Sequence, residues 1–135
     1  SCKAGACNTD VACLSDSDPW NGPRRAVGAY TRGTTDICTG SLLNNTAGDR
    51  RMLFATATHC GNTAANVASV VVYWNYESPT CRAPGSSQSG QVVPRPTDPI
   101  NITNGNALIA QTPSPFGGGA AGPRSDFVLP ELDPA

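Results

Sequence analysis

The stretch FATATHCG, residues 54–61, holds the only histidine of the chain, and a cysteine follows it at once. Three chemistries are open to His59. Its unperturbed titration near neutrality suits a general base. Its ring nitrogens suit a metal ligand, and it can equally be an ordinary residue at the end of a strand. Zinc takes three or four protein ligands, mostly nitrogen and sulfur. One histidine, with no Cys-x-x-Cys pair among six cysteines, does not supply that set. No metal or organic cofactor is expected.

The elements that must position His59 are short. Residues 1–23 contain three cysteines and two prolines with almost no periodicity, and read as an irregular, tethered segment. Apolar runs at 26–30 and 37–43 read as strands, with Gly40 at a bend. Turn chemistry at 44–49 joins the second run to 52–57, so 37–57 reads as a hairpin. SVVVYWNY at 69–76 is rich in β-branched and aromatic residues and is the strongest strand signal. Of the 41 residues in 84–124, 18 are Pro, Gly or Ser, so this region reads mostly as loop around short apolar pieces such as 107–110. Residues 127–132 return to a strand pattern, with Pro130 suited to an edge or a bulge. Short strands separated by turns, without a long helical pattern, indicate an all-β barrel or sandwich.

Composition narrows the functional classes. The 135 residues fit one domain with a modest core. With 14% charged residues, 39% apolar residues and a net charge of −1, the chain is not disordered by composition. It also lacks the basic patch that a nucleic-acid partner would require. No apolar run approaches the roughly 18–20 residues that span a bilayer, so no membrane partner is expected. No charged-then-apolar leader precedes Ser1, as expected where a secretion signal has been removed. Cys2, Cys7, Cys13, Cys38, Cys60 and Cys81 point to disulfides and to a secreted, extracellular protein. Spacing alone leaves 15 connectivities open.

The surroundings of His59 add a resemblance. CTGSLL, a turn, and a strand ending in Thr56-Ala57-Thr58-His59-Cys60-Gly61 resemble the catalytic-base region of trypsin-like serine proteases. RAVGAY, CTGSLLNNTAGDRRM, VVVYWNYESPTCRAP and SDFVLPEL are similar to one secreted bacterial branch of that fold, the lysyl endopeptidases. The resemblance runs from Cys7 to Pro84 and resumes at Ser125–Leu132, leaving 85–124 outside. It implies the first antiparallel β-barrel of a chymotrypsin-like double-barrel protease, spanning 24–135. It implies His59 as general base and Asp126, among eight aspartates, as the carboxylate that orients it. Asp10, Asp16, Asp18, Asp49 and Asp98 sit in turn-like sequence and read as solvated or capping. The resemblance also pairs Cys38 with Cys60, as a clasp on the histidine turn, and Cys13 with Cys81.

A nucleophile is missing. Ser86, Ser87 and Ser89 lack a Gly-x-Ser-Gly setting, and only nine residues follow Asp126. The resemblance places the serine, the oxyanion hole and the specificity pocket in a second barrel, carried by a C-terminal chain of the same protease. Protein or peptide substrates follow from it. The family partner of Cys7 lies in that second barrel. Cys2 has no counterpart, so Cys2 pairs with Cys7 or each bridges to the other half. Lysine preference is implied only by the resemblance; one lysine against eight arginines is consistent with it, and equally with a genome that favours Arg codons. Ser1-Cys2-Lys3 does not resemble the apolar N-terminus that other chymotrypsin-like enzymes bury on activation. Gly117-Gly118-Gly119 lacks the Gly-Lys-Ser/Thr of a phosphate loop, and the sequons at Asn44-Asn45-Thr46 and Asn101-Ile102-Thr103 carry little weight in a bacterial protein. The alternative is a non-catalytic protease homologue that serves as a binding or scaffold module.

Overall fold

The computed structural model describes residues 5–116 and 125–134. Six antiparallel strands close into a barrel: β1 (Val27–Arg32), β2 (Thr35–Leu43), β3 (Leu53–Ala55), β4 (Val70–Trp74), β5 (Ile102–Gln111) and β6 (Val128–Leu132). Their order around the barrel is β1-β2-β3-β6-β5-β4, so no strand of the ring is left with a free edge. Helical structure among the described residues is confined to single 3-10 turns. The all-β barrel expected from the short strands is the architecture found.

Period-two alternation builds the interior. In β4, Val70, Val72 and Trp74 are buried while Val71 and Tyr73 are only partly covered. Tyr30 of β1, Phe54 of β3 and Trp74 of β4 meet in the core, with successive ring centroids 5.8 Å apart in edge-on pairs. The indole N–H of Trp74 is satisfied by Thr103 Oγ1 at 2.9 Å. Gly40 is no bend: it continues β2, and a Cβ there would lie 2.5 Å from the Phe54 ring. The absent side chain is what lets the aromatic cluster reach the sheet.

Two further features differ from the sequence reading. The Pro/Gly/Ser-rich region 84–124, read as mostly loop, contains β5, the longest strand. Its prolines lie on either side of 102–111 and none within it, so an average over 41 residues concealed a window able to pair. The Asn104-Gly105 dipeptide, a turn signal in isolation, is carried straight through because β4 and β6 pair with it from both sides. Of the two settings expected for Pro130, an edge or a bulge, the structure has the bulge: buried inside the closed ring, Pro130 faces Leu108, where the register slips before Ala110. That bulge is how the ladder accommodates a residue with no N–H.

The third difference is Asp10, which is neither solvated nor a cap. Its carboxylate takes the Arg82 guanidinium at 2.7 and 2.8 Å and the Arg82 backbone N–H at 3.1 Å. With the Cys13–Cys81 disulfide, Cα atoms 4.5 Å apart, this fastens the N-terminal segment beyond β4. Asp18 and Asp98 do cap 3-10 turns, accepting from Trp20 N and Ile100 N.

Gly105 gives a direct test of barrel closure. A Cβ there would overlap the Val67 carbonyl oxygen and approach Val70 Cβ to 3.0 Å. Backbone oxygen cannot swing aside, so Gly105→Ala is expected to lower stability by about 1–3 kcal/mol in denaturant unfolding. Gly22→Ala, with φ −71° and nothing within 4 Å, is expected to change it by less than about 0.5 kcal/mol.

Candidate active site

His59 stands where β3 gives way to a tight turn. Past the strand, Thr56 pairs with Val128 through N–H···O bonds of 3.0 and 2.8 Å, which keeps the chain beside β6. A 3-10 turn, Thr58–Cys60, then lifts His59 out, and Gly61 ends it at φ 80°, a conformation glycine adopts without strain. The turn is held on three sides. Thr58 Oγ1 donates to Phe127 O at 2.5 Å. Cys60 is joined to Cys38 of β2, with Cα atoms 6.3 Å apart. Arg32, at the end of β1, donates to the carbonyls of Cys60 and Gly61.

Asp126 arrives from the opposite strand. Thr112, just past β5, brackets it: the Thr112 hydroxyl donates to Ser125 O at 2.6 Å and accepts from Phe127 N at 3.1 Å. The carboxylate then receives two groups of one residue. Asp126 Oδ1 accepts from the His59 backbone N–H at 3.0 Å, and Asp126 Oδ2 lies 2.5 Å from His59 Nδ1. A carboxylate acceptor assigns the proton to Nδ1 and leaves the Nε2 lone pair free. The bond from the imidazole lowers the Asp126 pKa, burial opposes this, and the His59 backbone N–H adds to the lowering. The His59 side chain is 49% exposed and that of Asp126 25%. Such a pair, over 67 residues of sequence, can hold an imidazole in one tautomer and one direction for proton transfer at Nε2.

The remaining candidates separate clearly. Cys13–Cys81 and Cys38–Cys60 are disulfides. Cys7 is exposed and has no disulfide partner among the described residues, and Cys2 lies outside them. Cys38, Cys60 and His59 bring ligand atoms within 4.8 Å of one another. With both sulfurs in a disulfide, however, neither is the thiolate a metal requires. Ser89 is buried and its hydroxyl donates to Ala6 O at 2.6 Å, a structural bond. A cavity of about 800 Å³ lies outside β1, β2 and β4, between residues 8–11 and 91–95; neither His59 nor Asp126 lines it.

Three site residues escaped the sequence reading. Arg32 and Thr112 are polar residues at strand ends, with no local pattern to mark them. Phe116 sits in a Pro-rich stretch, yet its ring lies edge-on to His59 with centroids 5.5 Å apart.

A closed six-strand antiparallel barrel, with a histidine and a carboxylate coupled at the end of its β3–β6 seam, fits the chymotrypsin-like β-barrel class. Residues 2–112 match the family described as lysyl endopeptidase, C-terminal domain, and the chain belongs to that family. Among curated relatives, the lysyl endopeptidase of Pseudomonas aeruginosa is 31% identical over 91 residues, which is 62% of this chain and 20% of that protein. The chain therefore spans about a fifth of that relative's length. The match takes in residues 85–112, β5 among them, which the sequence resemblance had left out. Asp126 lies beyond the matched residues, so its place beside His59 stands on the geometry alone.

The lowered Asp126 pKa fixes a pH dependence. Because the folded value lies below the unfolded one, the stabilisation is full above an unfolded pKa of about 3.9 and is lost as pH falls through the folded value. Asp126→Asn is expected to lose stability at pH 5–7 and to converge on the wild type in strong acid. Melting temperature measured from pH 2 to 7 checks this; parallel curves for the two proteins would refute the coupling.

Proposed function

We propose that this chain is the base-bearing barrel of a secreted serine endopeptidase. The observation that carries the reading is the two-point grip of Asp126 on His59, through Nδ1 at 2.5 Å and the backbone N–H at 3.0 Å. In this mechanism Nε2 takes the proton of a serine hydroxyl as its oxygen attacks the peptide carbonyl. The resulting imidazolium is stabilised by the Asp126 carboxylate, and Nε2 then delivers the proton to the leaving amine. Water repeats the sequence to release the acyl group. No metal or organic cofactor enters these steps.

The serine, the oxyanion hole and the specificity pocket belong, on this reading, to a partner chain that covers the His59 end of the barrel. The family supports this assignment, as does the exposed Cys7, a residue that can bridge to another chain. Cleavage after lysine is supported by the family and by the name of the Pseudomonas relative. Disulfides at Cys13–Cys81 and Cys38–Cys60 support an extracellular setting. A non-catalytic homologue has one observation in its favour, the missing nucleophile.

Intact mass of the purified protein, native and then denatured with and without reductant, tests the reading. A second polypeptide carrying Gly-x-Ser-Gly is expected, labelled at that serine by a phosphonofluoridate. In that assembly His59→Ala is expected to lower kcat by about 10⁴ on peptide substrates. A single species near 13.9 kDa that takes no label would replace the enzyme with the scaffold reading.

A further inference from the structure

Phe116 is the most exposed aromatic residue close to the site, 78% accessible, yet it is not loosely placed. Thr112, at the root of the segment, is bonded to residues on both sides of Asp126. Pro113 and Pro115 then fix two of the next three φ angles, and each disfavours helical backbone in the residue before it. The Phe116 N–H is received by Ser114 Oγ at 3.3 Å. This stiff arm sets the ring edge-on to the imidazole, with centroids 5.5 Å apart and planes at 82°.

An isolated exposed phenylalanine is ordinary on a protein surface. The neighbour is what gives this one a role. Proton transfer requires the reacting atoms of a substrate within about 3 Å of His59 Nε2. A peptide bond so placed brings the side chain of a flanking residue within reach of a ring centred 5.5 Å from the imidazole. The ring carries no polar group, so what it chiefly rewards is burial of an apolar side chain against it. The arm lies just past residue 112, where the family match ends.

We propose that Phe116 is a specificity-determining wall that selects a bulky apolar side chain on the substrate residue flanking the scissile bond. The inference rests on the protease reading above. In the assembled enzyme, matched peptides carrying Leu or Gly on either side of the cleaved residue give the comparison. A preference for Leu of about tenfold in kcat/KM is expected on one side. Phe116→Ala is expected to reduce that ratio to about twofold or less, the loss falling chiefly on the Leu peptide, while Phe116→Leu keeps most of it. An unchanged ratio in Phe116→Ala, or an equal loss for both peptides, overturns the proposal.

The single histidine supplies a readout that needs no turnover. Its imidazole protons are unique in an NMR spectrum, so N-acetyl-leucinamide can be titrated into the full chain while they are followed. A shift in the wild type that is absent in Phe116→Ala supports the wall; no shift in the wild type overturns it. If the wild type cleaves neither peptide and takes no serine label, the protease reading has failed, and this titration still decides the role of Phe116.

Discussion

Closure of the barrel between β3 and β6 is the constraint on which the candidate site depends. The two strands share one registered pair, Leu53 with Glu131, and β3 is only three residues long. A seam so short needs help. Arg51 grips Glu131 through two bonds of 2.7 Å. With the Arg51 side chain 43% exposed the pair adds little stability, but its forked geometry fixes register. Beyond the strands the pairing continues residue by residue: Thr56 with Val128, Thr58 with Phe127, and His59 with Asp126. The contact between imidazole and carboxylate is thus the last rung of the ladder that closes the fold.

The two disulfides serve different ends of this arrangement. Cys38–Cys60 ties the residue after His59 to β2 over a separation of 22 residues, where loop closure is worth roughly 3 kcal/mol. Arg32 holds the same turn from β1, so the backbone carrying the imidazole is fixed to two strands besides its own. Cys13–Cys81, over 68 residues, acts with the Asp10–Arg82 pair to hold an N-terminal segment whose described residues contribute no strand. The first staple restrains direction at the site; the second restrains a tail.

Much of this is legible in the sequence, and the gaps have physical causes. Alternation identifies β1, β2, β3, β4 and β6 because one face of each is buried. It misses β5, where small and polar residues such as Thr103, Asn104 and Gly105 pair only because β4 and β6 flank them. Gly105 reads as a turn residue from its neighbours alone; in the fold it is a strand residue pressed against the Val67 carbonyl. His59 stands out because it is the sole histidine. Asp126 does not: eight aspartates look alike locally, and resemblance was needed to single it out. Asp10 was misjudged for the same reason, since its partner Arg82 is 72 residues away.

The accessibility of the pair sets what the barrel can do by itself. With the imidazole 49% exposed and the carboxylate 25%, water screens the Coulombic part of their coupling. Orientation is therefore supplied here through hydrogen-bond geometry, while the low dielectric that strengthens a developing imidazolium–carboxylate pair is not. Phe116 adds one near-perpendicular ring contact to the imidazole, and the His59 side chain remains half exposed. Any surface that seats on this end would exclude water and approach Nε2 at once, so desolvation and the arrival of a nucleophile would be a single event. A barrel built in this way holds its imidazole in one direction but weakly coupled until something covers it.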